Sequence, residues 1–274
     1  LKAIESALGE PLGGKEVTSA LKSYGYTVKA AGQKVAVQLP PYRNDLLHTV
    51  DVVEDVAISQ GYARFAPVMP SQFTVGGLSR LEQMADRVRH LMVGLEFQEI
   101  ISNIMGSHQD FCTRMRLDGT EWAKVVEVDN VMSLSYSCLR QWITPSLLQV
   151  ETNSSRAFYP HRMFEVGEVA IPDASADVGS RTVTMLGAVI AHAGAHFSEI
   201  HSCLDLLLYY LDRPFTLEPV DHPSFLDGRA GKIVSNGRVI GLLGELHPEV
   251  LEHWQIGVPA VALEVEIDRL LEEV

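Results

Sequence analysis

Leu81, Met84, Ala85, Val88, Leu91, Met92 and Leu95 recur at steps of three and four residues, the spacing that gathers side chains on one helical face. Ser79 and Glu82 stand at capping-box spacing ahead of them, and Gly94 sits where the helix should stop. The pattern predicts an amphipathic helix over residues 79–93 with an apolar stripe. Residues 15–26 predict a shorter helix: Val17, Leu21 and Tyr24 share a face, and Gly25 supplies a left-handed stop. Helical spacing also marks 197–211 and 249–254. Residues 139–150 read as a helix kinked or restarted at Pro145, with Thr144 as its cap. Alternation and short apolar runs predict strands at 27–29, 34–39, 97–104, 125–128, 162–169, 183–191 and 260–267. Residues 232–241 read as a hairpin turning at Asn236-Gly237, because that pair accepts the positive φ of a two-residue turn.

These elements divide the chain. Residues 1–65 read as a small domain with the order helix, hairpin (turning at 31–33), helix, which is winged-helix-like. Residues 66–77 carry Pro67, Pro70, Gly76 and Gly77 without a sustained period and read as a linker. Residues 78–274 read as the larger domain. Its mostly antiparallel strands, with helices on one side, predict an α+β fold.

The chain has 274 residues, room for one large domain and one small one. Its 46% hydrophobic and 21% charged residues are an ordinary globular mixture. No apolar run approaches the roughly 18 residues of a membrane span, so no membrane partner is expected. A net charge of −13 argues against a free-standing nucleic-acid binder. It leaves open tRNA contact through a local patch or a partner chain. Cys112, Cys138 and Cys203 are scattered, without a Cys-x-x-Cys pair, and read as reduced thiols of a cytoplasmic protein. The chain starts at Leu1 rather than Met and is read as part of a longer protein.

The segment 42–55 carries the most chemistry. Asp45 is placed to cap a helix, its carboxylate accepting first-turn N–H groups. Asp51, Glu54 and Asp55 then stand at i, i+3 and i+4 on one face. Like charges at that spacing repel by roughly 0.2–0.5 kcal/mol per pair. A hard divalent cation such as Mg²⁺ would offset the repulsion. A solvated acidic face is the other reading, and spacing alone leaves both open.

Pro41, Tyr42, Arg43, Asp45, Asp51, Glu54, Asp55, Ala57, Gly61 and Tyr62 resemble the B-five domain block of the phenylalanyl-tRNA synthetase beta subunit family. Leu139-Arg140 with Pro145-Ser146-Leu147-Leu148, and the stretch 162–169, resemble blocks of the same family. So do His222-Pro223, Gly228-Arg229-Ala230, Asn236-Gly237, Ile240-Gly241 and the run 244–251. Departures are local: Ser146 follows Pro145 where the family has Gly, and Trp142-Ile143 replace smaller residues. The resemblance implies an archaeal- or eukaryote-like member and makes Asp45, Asp51, Glu54 and Asp55 magnesium ligands. It implies a catalytic alpha subunit as partner in an alpha2beta2 heterotetramer. That assembly forms Phe-tRNA(Phe) from Phe, ATP and tRNA. The family's editing region is expected before Leu1.

The same resemblance implies a class II aminoacyl-tRNA synthetase-like larger domain without catalysis. Such a site clamps ATP with arginines, because a fixed fork of donors holds phosphate oxygens at two points. Here Arg162-Met163-Phe164-Glu165 lacks the usual Phe-before-Arg order. Strand 260–267 lacks the glycines that let a nucleotide approach, Arg269 follows without motif context, and 103–105 has no proline. No catalytic residue and no cofactor-binding residue is therefore assigned. Arg162 and Glu165 read as members of a cross-strand or surface ion pair. His192, His196 and His201 read as surface or loop histidines, and His222 and His247, each before a proline, as element ends. Two alternatives are a stand-alone synthetase-like paralogue and a winged-helix nucleic-acid module. The acidic second helix speaks against the latter.

Overall fold

Residues 1–32, 34–154 and 156–271 are described by a computed structural model. Two units, Leu1–Val75 and Gly76–Val274, are each internally connected.

The first unit runs α1 (Lys2–Leu8), α2 (Gly14–Ser23), β1 (Thr27–Ala31), β2 (Lys34–Gln38) and α3 (Thr49–Gln60), then a 3₁₀ turn at Tyr62–Arg64. Helix α1 was not foreseen; none of its side chains is fully buried, and only Ile4 and Leu8, four apart, lean on the small core. Val17 and Leu21 of α2 pack on Tyr26 and on Val56 of α3, which makes the small core. Gly25 follows α2 at φ 84°, as expected of a left-handed stop. β1 and β2 pair antiparallel; part of the expected turn, Gln33, lies outside the described residues. Helix α3 starts later than predicted, at His48 rather than Asp45.

The second unit opens with α4 (Arg80–Gly94), whose N-cap Ser79 accepts the Glu82 N–H at 3.1 Å. α4 stops at Gly94, as expected, and the left-handed residue that follows it is Glu96 (φ 67°). The predicted strand 97–104 contracts to β3 (Gln98–Glu99). The chain then supplies β4 (Met105–Gly106), a π-helical turn at Gln109–Thr113, β5 (Val126–Glu127) and β6 (Cys138–Leu139). Leu139 thus belongs to a strand. Helix α5 (Thr144–Asn153) begins five residues later, with Pro145 in its first turn, where no hydrogen bond is lost. There follow β7 (His161–Pro172), β8 (Ser180–Ala191), α6 (Phe197–Tyr210), β9 (Thr216–Pro219), β10 (Phe225–Ser235), β11 (Arg238–Leu246), α7 (Pro248–His253), β12 (Ala260–Glu266) and α8 (Ile267–Leu271). β9 and α8 were not foreseen. Asn236 and Gly237 both take positive φ at the β10–β11 turn, as their sequence requires.

Seven strands form the main sheet in the order β3-β7-β8-β12-β11-β10-β9. The β3–β7 pair is parallel and the other pairs are antiparallel. The mostly antiparallel α+β expectation therefore holds, but helices cover both faces rather than one. Along β12, Val261, Leu263 and Val265 enter a core shared with α4, α6 and α8. Ala260 and Ala262 enter the opposite core with Leu147 and Leu148 of α5 and Val250 of α7. All seven β12 residues are buried, as a strand covered on both faces requires. Each fully buried Val or Leu contributes roughly 1.5–3 kcal/mol.

Candidate functional site

The acidic block of the first unit is organised by an internal cation. Arg43 lies 2.7 Å from Asp45 Oδ1 through Nε and 2.8 Å from Oδ2 through Nη2, a two-point clamp. Its Nη1 reaches Asp55 Oδ2 at 3.1 Å. The buried Tyr26 hydroxyl donates to the same oxygen at 2.6 Å. The Arg43 hydrogen bond holds the Asp45 carboxyl below its ordinary range. Burial, then the Asp55 carboxylate, raises the Tyr26 hydroxyl far above its ordinary value, so Tyr26 stays a donor. Asp45 is consequently not a helix cap. His48 takes that part, its ring nitrogen accepting the Val50 N–H at 3.4 Å, and Asp51 Oδ2 answers from inside the helix by accepting the N–H groups of Leu47 (2.7 Å) and His48 (2.6 Å). Glu54 is exposed.

The four residues thus sit on one segment, but Asp45 and Asp55 share Arg43 while Asp51 serves the backbone of Leu47 and His48 and Glu54 is exposed. Among the described residues, no three His, Cys, Asp or Glu side chains are grouped to hold a metal ion. As placed, the carboxylates do not fit a magnesium ion: a divalent ion here would have to displace the guanidinium from Asp45 and Asp55.

On the sheet of the second unit, Arg162 and Glu165 diverge. They are three positions apart on β7, so they face opposite sides. Arg162 Nη2 pairs with Glu199 Oε1 at 2.7 Å, and its guanidinium lies 5.8 Å from the Phe97 ring centre. Glu165 instead pairs with Arg140 Nη2 at 2.7 Å in the interior. Both residues are in ion pairs, as expected, but not with each other, and the Glu165 pair is buried rather than cross-strand or surface. Arg269, in α8, is 2.7 Å from Glu266 Oε2.

The histidines are mostly structural. His192 Nε2 meets Glu199 Oε2 at 2.8 Å, and His201 Nδ1 lies 3.4 Å from Asp205. His247 follows the end of β11, as expected, and also caps α7, its ring nitrogen accepting the Glu249 N–H at 3.1 Å. His222 departs furthest from expectation. It is buried, its ring centre 4.4 Å from Trp122 and 5.6 Å from Trp142.

These aromatic residues line a pocket of ≈ 270 Å³ with Met185, Leu242 and Glu264. Glu264 is only 2% exposed. Its Oε1 accepts the N–H groups of Ile143 (2.9 Å) and Thr144 (2.6 Å) and the Thr144 hydroxyl (2.6 Å), at the start of α5. Burial pushes the Glu264 carboxyl up to about 7 against the pull of these donors. Burial alone pushes His222 down to about 4. The sequence offered one signal for this pocket, Glu264 set between apolar neighbours inside a mostly apolar strand.

Among the described residues, no helix is long and apolar enough to cross a membrane. Family models for the phenylalanyl tRNA synthetase beta chain CLM domain and the tRNA synthetase B5 domain match residues 66–267 and 1–62. The phenylalanine–tRNA ligase beta subunit of Treponema pallidum is 37% identical over 268 residues, 98% of this chain and 44% of that one. That of Borrelia garinii is 38% identical over 273 residues, 100% of this chain and 48% of the relative. That of Thermococcus onnurineus is 33% identical over 280 residues, covering 98% and 49%. The chain therefore spans about half the length of the curated relatives it matches. Its fold is similar to that of Desulfitobacterium hafniense PylSc, a pyrrolysyl tRNA synthetase. The TM-score is 0.59 at 18% identity, over 81% of this chain and 77% of the other. With family models matched along both units and relatives above 30% identity over nearly its whole length, the chain belongs to the phenylalanyl-tRNA synthetase beta subunit family.

Proposed function

We propose that this chain is the non-catalytic support of a phenylalanine–tRNA ligase, working with an alpha subunit that forms Phe-tRNA(Phe) from Phe, ATP and tRNA. The observation that carries the reading is the occupation of the nucleotide-clamping positions by internal contacts. Arg162 is tied to Glu199, and Glu165 is sealed against Arg140. β12 is buried along its whole length and has no glycine where a nucleotide would lie. Arg162 gives Nη2 to Glu199 at 2.7 Å and Nη1 to the Leu95 carbonyl at 3.4 Å, so both arms of its fork are engaged before any phosphate arrives. The alpha2beta2 assembly and the tRNA(Phe) contact belong to this proposal. The buried free thiols Cys112, Cys138 and Cys203 support its cytoplasmic setting.

Magnesium ligation by Asp45, Asp51, Glu54 and Asp55 is part of the finer reading only in the form in which the ion displaces Arg43, and the family block they occupy supports it. Because Arg43 already holds two of these carboxylates, no step of the proposed function passes through the ion.

Co-expression with the cognate alpha subunit, followed by size-exclusion chromatography in Mg²⁺ and in EDTA, tests both readings. Co-elution in both buffers supports the supporting-subunit role with the guanidinium as the block's cation. Co-elution lost in EDTA supports the metal-assisted form. Absence of co-elution in either buffer sinks the subunit role for this chain. ATP–pyrophosphate exchange by the purified chain alone would overturn its non-catalytic assignment.

A further inference from the structure

The sheet face that carries no catalytic motif still holds a built pocket. Its walls are the rings of Trp122, Trp142 and His222 with Met185 and Leu242, and its floor is Glu264 on β12. Two buried polar atoms in that lining have no hydrogen-bond partner among the described residues: Glu264 Oε2 and Trp142 Nε1. Their residues are 2% and 6% exposed. A larger cleft, of ≈ 490 Å³ beside Ser102, Ser146 and Trp254, has no such atom in its lining among the described residues.

Unpaired polar atoms this deep are costly to a fold and mark places where a partner group belongs. The donors fixed on Oε1 orient the carboxyl group, so Oε2 is a positioned acceptor rather than a mobile side chain. Aromatic faces favour an apolar body and tolerate an adjacent positive charge. Glu121 and Lys124, exposed and of opposite charge, also line the pocket, so the buried carboxylate oxygen and the ring faces decide the sign and select a cation over an anion.

We propose that the Trp122–Trp142–His222 pocket binds a small apolar molecule bearing an amine, the amine donating to Glu264 Oε2. A ligand oxygen beside the amine would accept from Trp142 Nε1. An amine placed there also keeps the Glu264 carboxyl ionised, opposing the upward push of burial. The inference is independent of the supporting-subunit reading, since every lining residue belongs to this chain.

The chain reports on the pocket by itself, because two of its three tryptophans line it. Intrinsic fluorescence is titrated with 2-phenylethylamine, 2-phenylethanol and 3-phenylpropionate, which share a ring and differ in the polar group. The expected result is a saturable change with the amine, and affinities at least about tenfold weaker for the alcohol and the acid. Glu264→Gln keeps an oxygen for the Ile143 and Thr144 donors and should erase the preference for the amine. If circular dichroism shows that this variant is not folded, Met185→Phe narrows the pocket from its half-buried wall and should weaken the amine by a similar factor. No saturable response to the amine, equal binding of amine and acid, or an amine preference that survives both variants overturns the proposal.

Discussion

Arg140 Nη2 lies 2.7 Å from Glu165 Oε1 with both side chains almost wholly buried. The same guanidinium donates from Nη1 to Ser102 Oγ at 2.8 Å and from Nε to the Glu168 carbonyl at 2.9 Å. Ser102 in turn donates to Glu165 Oε2. A methyl group on Gly167 would collide with both Arg140 Nη2 and Glu165 Oε1, so the missing side chain makes room for the pair. Breaking one side of such a pair strands the other charge. Arg140→Met is expected to cost about 3–5 kcal/mol of stability, and Gly167→Ala about 1–3 kcal/mol through crowding. Urea unfolding of the whole chain measures both. An Arg140→Met variant as stable as the parent would show that the pair is dispensable.

In the acidic block, three carboxylates, Asp45, Asp51 and Asp55, have tasks that need no metal. Asp51→Ala should cost about 0.5–2 kcal/mol because the N–H groups of Leu47 and His48 lose their acceptor. The cost should be equal in EDTA and in Mg²⁺. Arg43→Met should release Asp45 and Asp55 and tighten Mg²⁺ binding relative to the parent. Isothermal titration calorimetry reads this directly. Tighter binding by the parent than by the variant would mean that the guanidinium does not compete with the ion.

Glu264 and His222 line one pocket and answer pH in opposite directions. The folded chain holds the Glu264 proton up to about 7, against an ordinary 4.5. Between those values the folded state binds more protons than the unfolded, so this group's contribution to stability falls as pH rises. His222 is held near 4 against an ordinary 6.5. Its contribution therefore falls as pH drops from 6.5 through 4. Relative to the parent, Glu264→Gln should gain stability as pH rises from 4.5 to 7, by at most about 1.4 kcal/mol per pH unit. His222→Asn should lose ground relative to the parent as pH rises from 4 to 6.5. Urea midpoints across that range, taken as differences from the parent, isolate each group. Differences with no pH slope would remove both from the account.

Where the controlling interactions are local, the sequence was readable. Ser79 caps α4 three residues from its partner, and Asn236-Gly237 turns the β10–β11 hairpin by its own backbone preference. Asp45 was misplaced as a cap because Arg43, two residues before it, claims both carboxylate oxygens. The partners of Arg162 and Glu165 were hidden because Glu199 and Arg140 come from other elements. The pocket was harder still. Trp122, Trp142, His222 and Glu264 meet only once the sheet has formed, and a strand buried on both faces loses the alternation that would say which side Glu264 points to. The acidic block and the C-terminal run were found by likeness to the family, not by periodicity.

The contact between Glu264 and Thr144 spans 120 positions of the chain. During synthesis from the N-terminus, α5 emerges with its first N–H groups unsatisfied and stays so until β12 arrives. β12 also lies between β8 and β11, which until then each present an open edge. β12, made after both of its neighbours, is therefore the keystone of the sheet. A nascent chain stopped just short of Ala260 would carry two unpaired strand edges and an uncapped helix, the condition in which chaperones find clients.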